Sequence, residues 1–232
     1  MIRKQLMLTL ALLMACAWVL GQKDVGYIYA PSGLNIRATS DPGSAKVGHV
    51  KYGDNVKILA PATSMNMTID GIKGGMAKIQ SGDVTGYMFD GYLVPFHQCK
   101  PNLETRKYVD ELRAKSHDVV YEFHEYDYDG YFRNEYVFIL RTDRWAHAFL
   151  VAKHLYGIPK GINFPKKGQE KVDNPAKGEF AWEDGMTVER DGSGNLKALV
   201  YFWRGEGGGW SVAITKDKDM TGLRIENGQI AD

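Results

Sequence analysis

Cysteine is nearly missing from this chain of 232 residues, which holds only Cys16 and Cys99. Cys16 falls in an apolar leader, so the folded part has no disulfide framework and no four-cysteine zinc site. Excess charge of either sign is missing too. The formal net charge is +1, and it stays near zero if Arg3 and Lys4 are removed with the leader. A dedicated nucleic-acid binder needs a basic face to neutralise phosphates, so no nucleic-acid partner is expected. A sustained helical period is absent between residues 24 and 96, which argues against an all-helical fold. What remains is 44% hydrophobic and 25% charged residues, the ordinary mix of a globular protein. The length suits two small domains that each bury a core.

Residues 1–21 carry Arg3 and Lys4, then an apolar run over residues 6–20, then the polar Gln22-Lys23-Asp24. That three-part plan reads as a secretory signal. The apolar run is shorter than the roughly 20 residues of a membrane-spanning helix, so export is expected rather than a retained anchor. Two processing routes stay open. Val19-Leu20-Gly21 suits a signal peptidase, with the mature chain starting at Gln22. Leu13-Met14-Ala15-Cys16 looks like a bacterial lipobox that would lipidate Cys16, although the sequence after Cys16 stays apolar where lipoproteins usually turn polar. Membrane attachment is expected only by that second route, and the chain is read as periplasmic or secreted.

Residues 24–96 contain short apolar runs at 47–50, 55–59 and 76–79, divided by Asp41-Pro42-Gly43-Ser44, Tyr52-Gly53-Asp54, Asp70-Gly71 and Ser81-Gly82-Asp83. Short strands between such turns predict a small all-β barrel or sandwich. Residues 97–102 interrupt the pattern and read as a linker. A helix follows at 103–115 with Asn102 as its N-cap, then strands at 119–123 and 132–140 joined by Asp129-Gly130. Trp145, Ala148, Phe149, Ala152 and Leu155 mark a second helix that Gly157 and Pro159 end. Residues 159–178 read as a long mobile loop. Strands at 186–190, 196–204, 210–215 and 222–226 form an antiparallel meander of four strands. The fold class is therefore mainly β, with an α+β layer domain over residues 103–232 that contains two helices, a hairpin and the meander.

Within 24–96, Gly33-Leu34-Asn35-Ile36-Arg37 precedes Asp41 to Val50 and then Gly53-Asp54-Asn55-Val56-Lys57-Ile58-Leu59. Together with Gly86-Tyr87-Met88 and Tyr92-Leu93, this order of motifs resembles the bacterial SH3-like domain family. The resemblance implies a small barrel that serves as a binding or targeting module in exported proteins, often for cell-wall peptide or glycan. Where the family's closing motif carries tryptophan, this sequence has Tyr87. Tyr27, Tyr29, Tyr87 and Tyr92 are the candidate ligand-binding residues, because a phenol offers an apolar face and a polar tip. The same tyrosines also read as barrel packing.

Chemical signatures are sparse. Glu125, Asp127 and Asp129 alternate before Gly130, the start of a calcium loop, yet Arg133 and Tyr136 stand where such a loop needs oxygen ligands. An acidic hairpin turn is the simpler reading. His147 and His154 lie about 10.5 Å apart along a helix, too far to share one metal ion. Cys99 has His97 nearby but none of the context of a nucleophilic cysteine. No cofactor is implied. Gly205 to Gly209 reads as a hairpin loop, and the lysines of 159–178 as a solvated loop. Tyr126, Tyr128 and Tyr131 near the tip of the aromatic hairpin form a candidate partner surface, joined by Trp182, Trp203 and Trp210 on the meander. The expected function is a non-enzymatic binding or adaptor protein of the cell envelope, with cell-wall peptide or glycan or an envelope protein as its partner. The alternatives are a cell-wall hydrolase and a secreted inhibitor.

Overall fold

The structure, a computed structural model, describes residues 25–100, 103–128, 131–219 and 222–231, and the backbone alone at 127, 128, 131, 132, 230 and 231. The leader, Cys16, Asn102 and the Asp129-Gly130 turn lie outside the described residues. The molecule is mainly β, with 48% strand and 12% helix in several antiparallel sheets. No helix among the described residues is long and apolar enough to cross a membrane.

Short strands make up the first half. These are β1 (Val25–Ile28), β2 (Leu34–Arg37), β3 (Lys46–Val50), β4 (Asn55–Ala60), β5 (Met67–Ile69), β6 (Ile72–Gly74), β7 (Met76–Ser81), β8 (Val84–Phe89) and β9 (Leu93–Val94). Seven of them form a sheet in the order β3-β2-β8-β7-β4-β1-β9, while β5 and β6 pair as a separate hairpin. Ile28, Ile36, Val56, Ile79 and Met88 are buried inside it. The turn of the β5–β6 hairpin is Asp70-Gly71, both with positive φ (50° and 83°), the conformation that an Asp-Gly pair tolerates best.

Helix α1 (Thr105–Ala114) follows, then β10 (Val119–Tyr128), β11 (Tyr131–Leu140) and helix α2 (Trp145–Leu155). The N-cap of α1 is Glu104, without a side-chain cap, so the sequence-based start at residue 103 and the N-cap at Asn102 are each two residues early. Gly157 sits at φ 67° just beyond α2, the left-handed stop expected there. The remaining strands are β12 (Lys171–Asp173), β13 (Ala181–Arg190), β14 (Leu196–Gly205), β15 (Gly208–Lys216) and β16 (Leu223–Ala231). They join the β10–β11 hairpin in one seven-stranded sheet, β10-β11-β16-β15-β14-β13-β12.

Two expectations change here. The meander has a fifth strand, β12, and residues 159–178 are fastened rather than a free loop. Val172 pairs with Met186 and is buried, as is Ile162. Asp184 accepts hydrogen bonds from Tyr201 Oη (2.9 Å) and Asn174 Nδ2 (2.6 Å). The anchoring residues stand singly between prolines and glycines, so no hydrophobic period marks them.

Period-two alternation orders the long sheet. Phe138 faces Ile225 and Leu140 faces Leu223 across β11 and β16, and all four are buried on the face that the helices cover. One continuous hydrophobic core runs from Ile28 and Val94 of the first half through Tyr108 and Leu112 to Ile214 and Ile225. Residues 97–100 lie inside this junction. His97 and Cys99 are buried, and the His97 carbonyl accepts hydrogen bonds from Tyr29 Oη (3.1 Å) and Tyr108 Oη (2.9 Å).

Candidate functional site

The two halves meet along α2 and leave a cleft of about 790 Å³ between them. Phe149, Leu150, Lys153 and His154 line one wall, a spacing that puts them on one side of the helix. Tyr29, Tyr52, Asp70, Ile72 and Tyr92 from the first half line the other, and the segment from Gly157 to Phe164 closes the end. Turns deliver most of the first-half residues. Tyr92 ends a 3-10 turn (Asp90–Tyr92), and its carbonyl accepts the Tyr29 N–H at 3.0 Å. Its hydroxyl donates to Asp70 Oδ2 at 2.9 Å. Gly71 lies so close to the Phe164 carbonyl that a Cβ would overlap it, and this tucks the hairpin tip against the second half.

Two basic side chains dominate the chemistry of the cleft. Lys153 Nζ donates to the Lys160 carbonyl (3.0 Å) and the Ile162 carbonyl (2.6 Å), and it stands 5.7 Å above the Phe149 ring. Burial lowers its pKa to about 8, partly opposed by the Asp70 carboxylate. His154 Nε2 lies 2.8 Å from the Cys99 carbonyl, which can only accept. In the neutral ring Nε2 therefore carries the hydrogen, and Nδ1 accepts from Tyr52 Oη at 2.6 Å. The Tyr29 ring stands edge-on to His154, 6.2 Å between centroids.

Of the four candidate tyrosines, the structure brings Tyr29 and Tyr92 together in this cleft. Tyr27 packs edge-on against His97 (6.1 Å), and Tyr87 lies within the first sheet, opposite Arg37 and Lys78. Tyr126 is half-buried, its ring 6.3 Å from that of His124. Tyr128 and Tyr131 pair in backbone register at the hairpin end, and their side chains lie outside the described residues. So do the Asp127 side chain and Asp129, while Glu125 is exposed. Among the described residues no three His, Cys, Asp or Glu side chains gather where they could hold a metal ion. On the meander, Trp182 is 67% exposed beside Phe180 at 77%, whereas Trp203 and Trp210 pack against the core.

Cys99 is buried, and burial above all pushes its pKa up to about 11. Its thiol is protonated at neutral pH, the opposite of what a nucleophile needs. A second cavity of about 720 Å³ lies by Arg141, Arg190 and Lys216. There Arg141 is paired with Asp118 (3.0 Å) and Arg190 is held by the carbonyls of Gly194 and Lys166, both at 3.1 Å.

Sequence reasoning missed Tyr52, Asp70, Lys153 and His154 as members of one site. The available signal was a lysine and a histidine interrupting the apolar face of the second helix. Comparisons of the chain with protein-family models, with curated proteins and with solved structures found no match.

Proposed function

We propose that this chain is an exported, non-enzymatic binding or adaptor protein of the bacterial cell envelope, and that it holds a cell-wall peptide or glycan fragment in the cleft between its halves. The observation that carries the reading is the cleft itself. It is concave, large enough for a small ligand, walled by aromatic and aliphatic side chains and supplied with a few fixed polar groups, the usual build of a ligand site. The leader supports export, and the motifs from Gly33 to Leu93 support an SH3-like barrel that targets the wall. In this reading residues 103–232 form a two-layer α+β domain that completes the site with α2. The hydrolase alternative is disfavoured by the protonated Cys99 thiol and by the engagement of His154 with a carbonyl and a phenol rather than with a nucleophile.

The test is co-sedimentation of the purified protein with insoluble peptidoglycan over a salt series, with released fragments assayed in the same tubes. Pelleting that persists at high salt without fragment release is expected, and Tyr52→Ala is expected to reduce it several-fold. Protein left in the supernatant at every salt concentration overturns the reading, and fragment release replaces it with the hydrolase.

A further inference from the structure

Lys153 is a half-buried charge of the cleft whose hydrogen-bond partners are all neutral. Two of its three N–H donors are engaged by the backbone carbonyls of Lys160 and Ile162, which are neutral, and among the described residues no carboxylate forms an ion pair with it. Asp70 acts on it only at a distance, and a half-buried ammonium without a direct ion pair is costly unless an anion completes it. Its third donor is available to one. The Phe149 ring beneath Lys153 meets the Phe164 ring at 5.6 Å and 70°, so an aromatic corner lies beside the charge. On the facing wall Asp70 is oriented by Tyr92 Oη through Oδ2, which leaves Oδ1 to accept from a ligand N–H. The cleft is thus polarised, with a cation on α2 and an aromatic corner between α2 and the segment beyond it on one wall, and a carboxylate on the first half.

Resting on the reading of the cleft as the ligand site, we infer that it recognises the free C-terminal carboxylate of a short peptide: Lys153 takes the carboxylate, the half-buried Phe164, backed by the buried Phe149, receives the last apolar side chain, and Asp70 accepts a backbone N–H. A glycan whose only anion is a uronate has no apolar group beside that anion. A charged-group hydrogen bond of this kind contributes well above a neutral one, which makes the terminus the discriminating feature.

Calorimetric titration of the purified protein with acetyl-alanyl-alanine, with its C-terminal amide and with glucuronate tests the inference. The free acid is expected to bind at least tenfold more tightly than the amide, and glucuronate, a carboxylate on a polar ring, more weakly than the acid. Lys153→Gln is expected to erase the preference for acid over amide. Asp70→Asn keeps one oxygen for Tyr92 but sets an amide NH2 where the ligand N–H is accepted, so it is expected to weaken acid and amide alike and leave the preference in place; this variant and the wild-type comparison stand whether or not Lys153→Gln folds. Equal affinity for acid and amide, glucuronate binding as well as the acid, loss of the preference in Asp70→Asn, or a folded Lys153→Gln that keeps it would each overturn the inference. Failure to bind any of the three ligands while the protein still pellets with peptidoglycan overturns it too and leaves the proposed function standing; failure to pellet removes that function first.

Discussion

The two halves solve the same problem with different strand lengths. In the first half strands run from two to six residues, and what they position is carried on the turns: Tyr52, Asp70 and Tyr92. In the second, β10, β11, β13 and β14 each run ten residues in nearly unbroken register. That sheet contributes a platform for α2, and α2 contributes the site. Short strands between frequent turns place many loop residues at a rim, whereas a platform of long strands offers rigidity. The cleft draws on both, with polar groups carried on turns from one side and a helix face from the other.

The largest way to break this division is to weaken the platform. Phe138 is fully buried in the second sheet and meets the Tyr108 ring edge-on at 6.2 Å, and Tyr108 is bonded to the His97 carbonyl. Phe138→Ala is expected to cost about 3–5 kcal/mol and to lower a single calorimetric transition, because the core is continuous. Two separated transitions would show that the halves unfold independently. A smaller effect is expected at the rim. Gly71→Ala forces a side chain into positive φ and against the Phe164 carbonyl, at a cost of about 1–3 kcal/mol, and it should weaken ligand binding in the cleft. Unchanged affinity by titration would mean that the hairpin tip does not shape the site.

The third expectation concerns the far end of α2. His147 is buried with both ring nitrogens unpartnered, and burial, with a contribution from Arg144, lowers its pKa from 6.5 to about 3. As pH falls below about 6.5 the unfolded chain takes up a proton that the native state refuses, so stability falls with pH down to about 3. Between pH 7 and 5 the loss from this one group is on the order of 1–2 kcal/mol. His147→Leu should flatten that part of a stability–pH curve measured by denaturant unfolding, and a slope equal to wild type would reject the assignment.

Much of the second sheet was legible because alternation over eight or more residues is a strong local signal, and the Trp145–Leu155 helix was legible from its spacing and its glycine stop. The strand at Val172 was not, since three residues carry no period and its burial depends on β13. The site was legible only in part. Tyr29 and Tyr92 were picked out for their chemistry together with Tyr27 and Tyr87, but Tyr27 and Tyr87 sit within β1 and β8, whereas Tyr29 and Tyr92 lie beyond the ends of those strands, where they line the cleft. Lys153 drew no notice and His154 was weighed only with His147 for a metal ion, because what makes them a site is the hairpin turn more than eighty positions earlier. Such a juxtaposition is set by tertiary packing and leaves no trace in sequence spacing.

The carbonyl of His97, which accepts one phenol from each half, bears on how such a protein changes over evolutionary time. A gene fusion or exchange with its joint near residue 100 would separate Tyr29 from Tyr108 and open the shared core at Phe96 and Cys99. The halves resemble interchangeable parts in their outward construction, yet recombination between them would strand groups on both sides, so a chimera joined there is expected to lose stability.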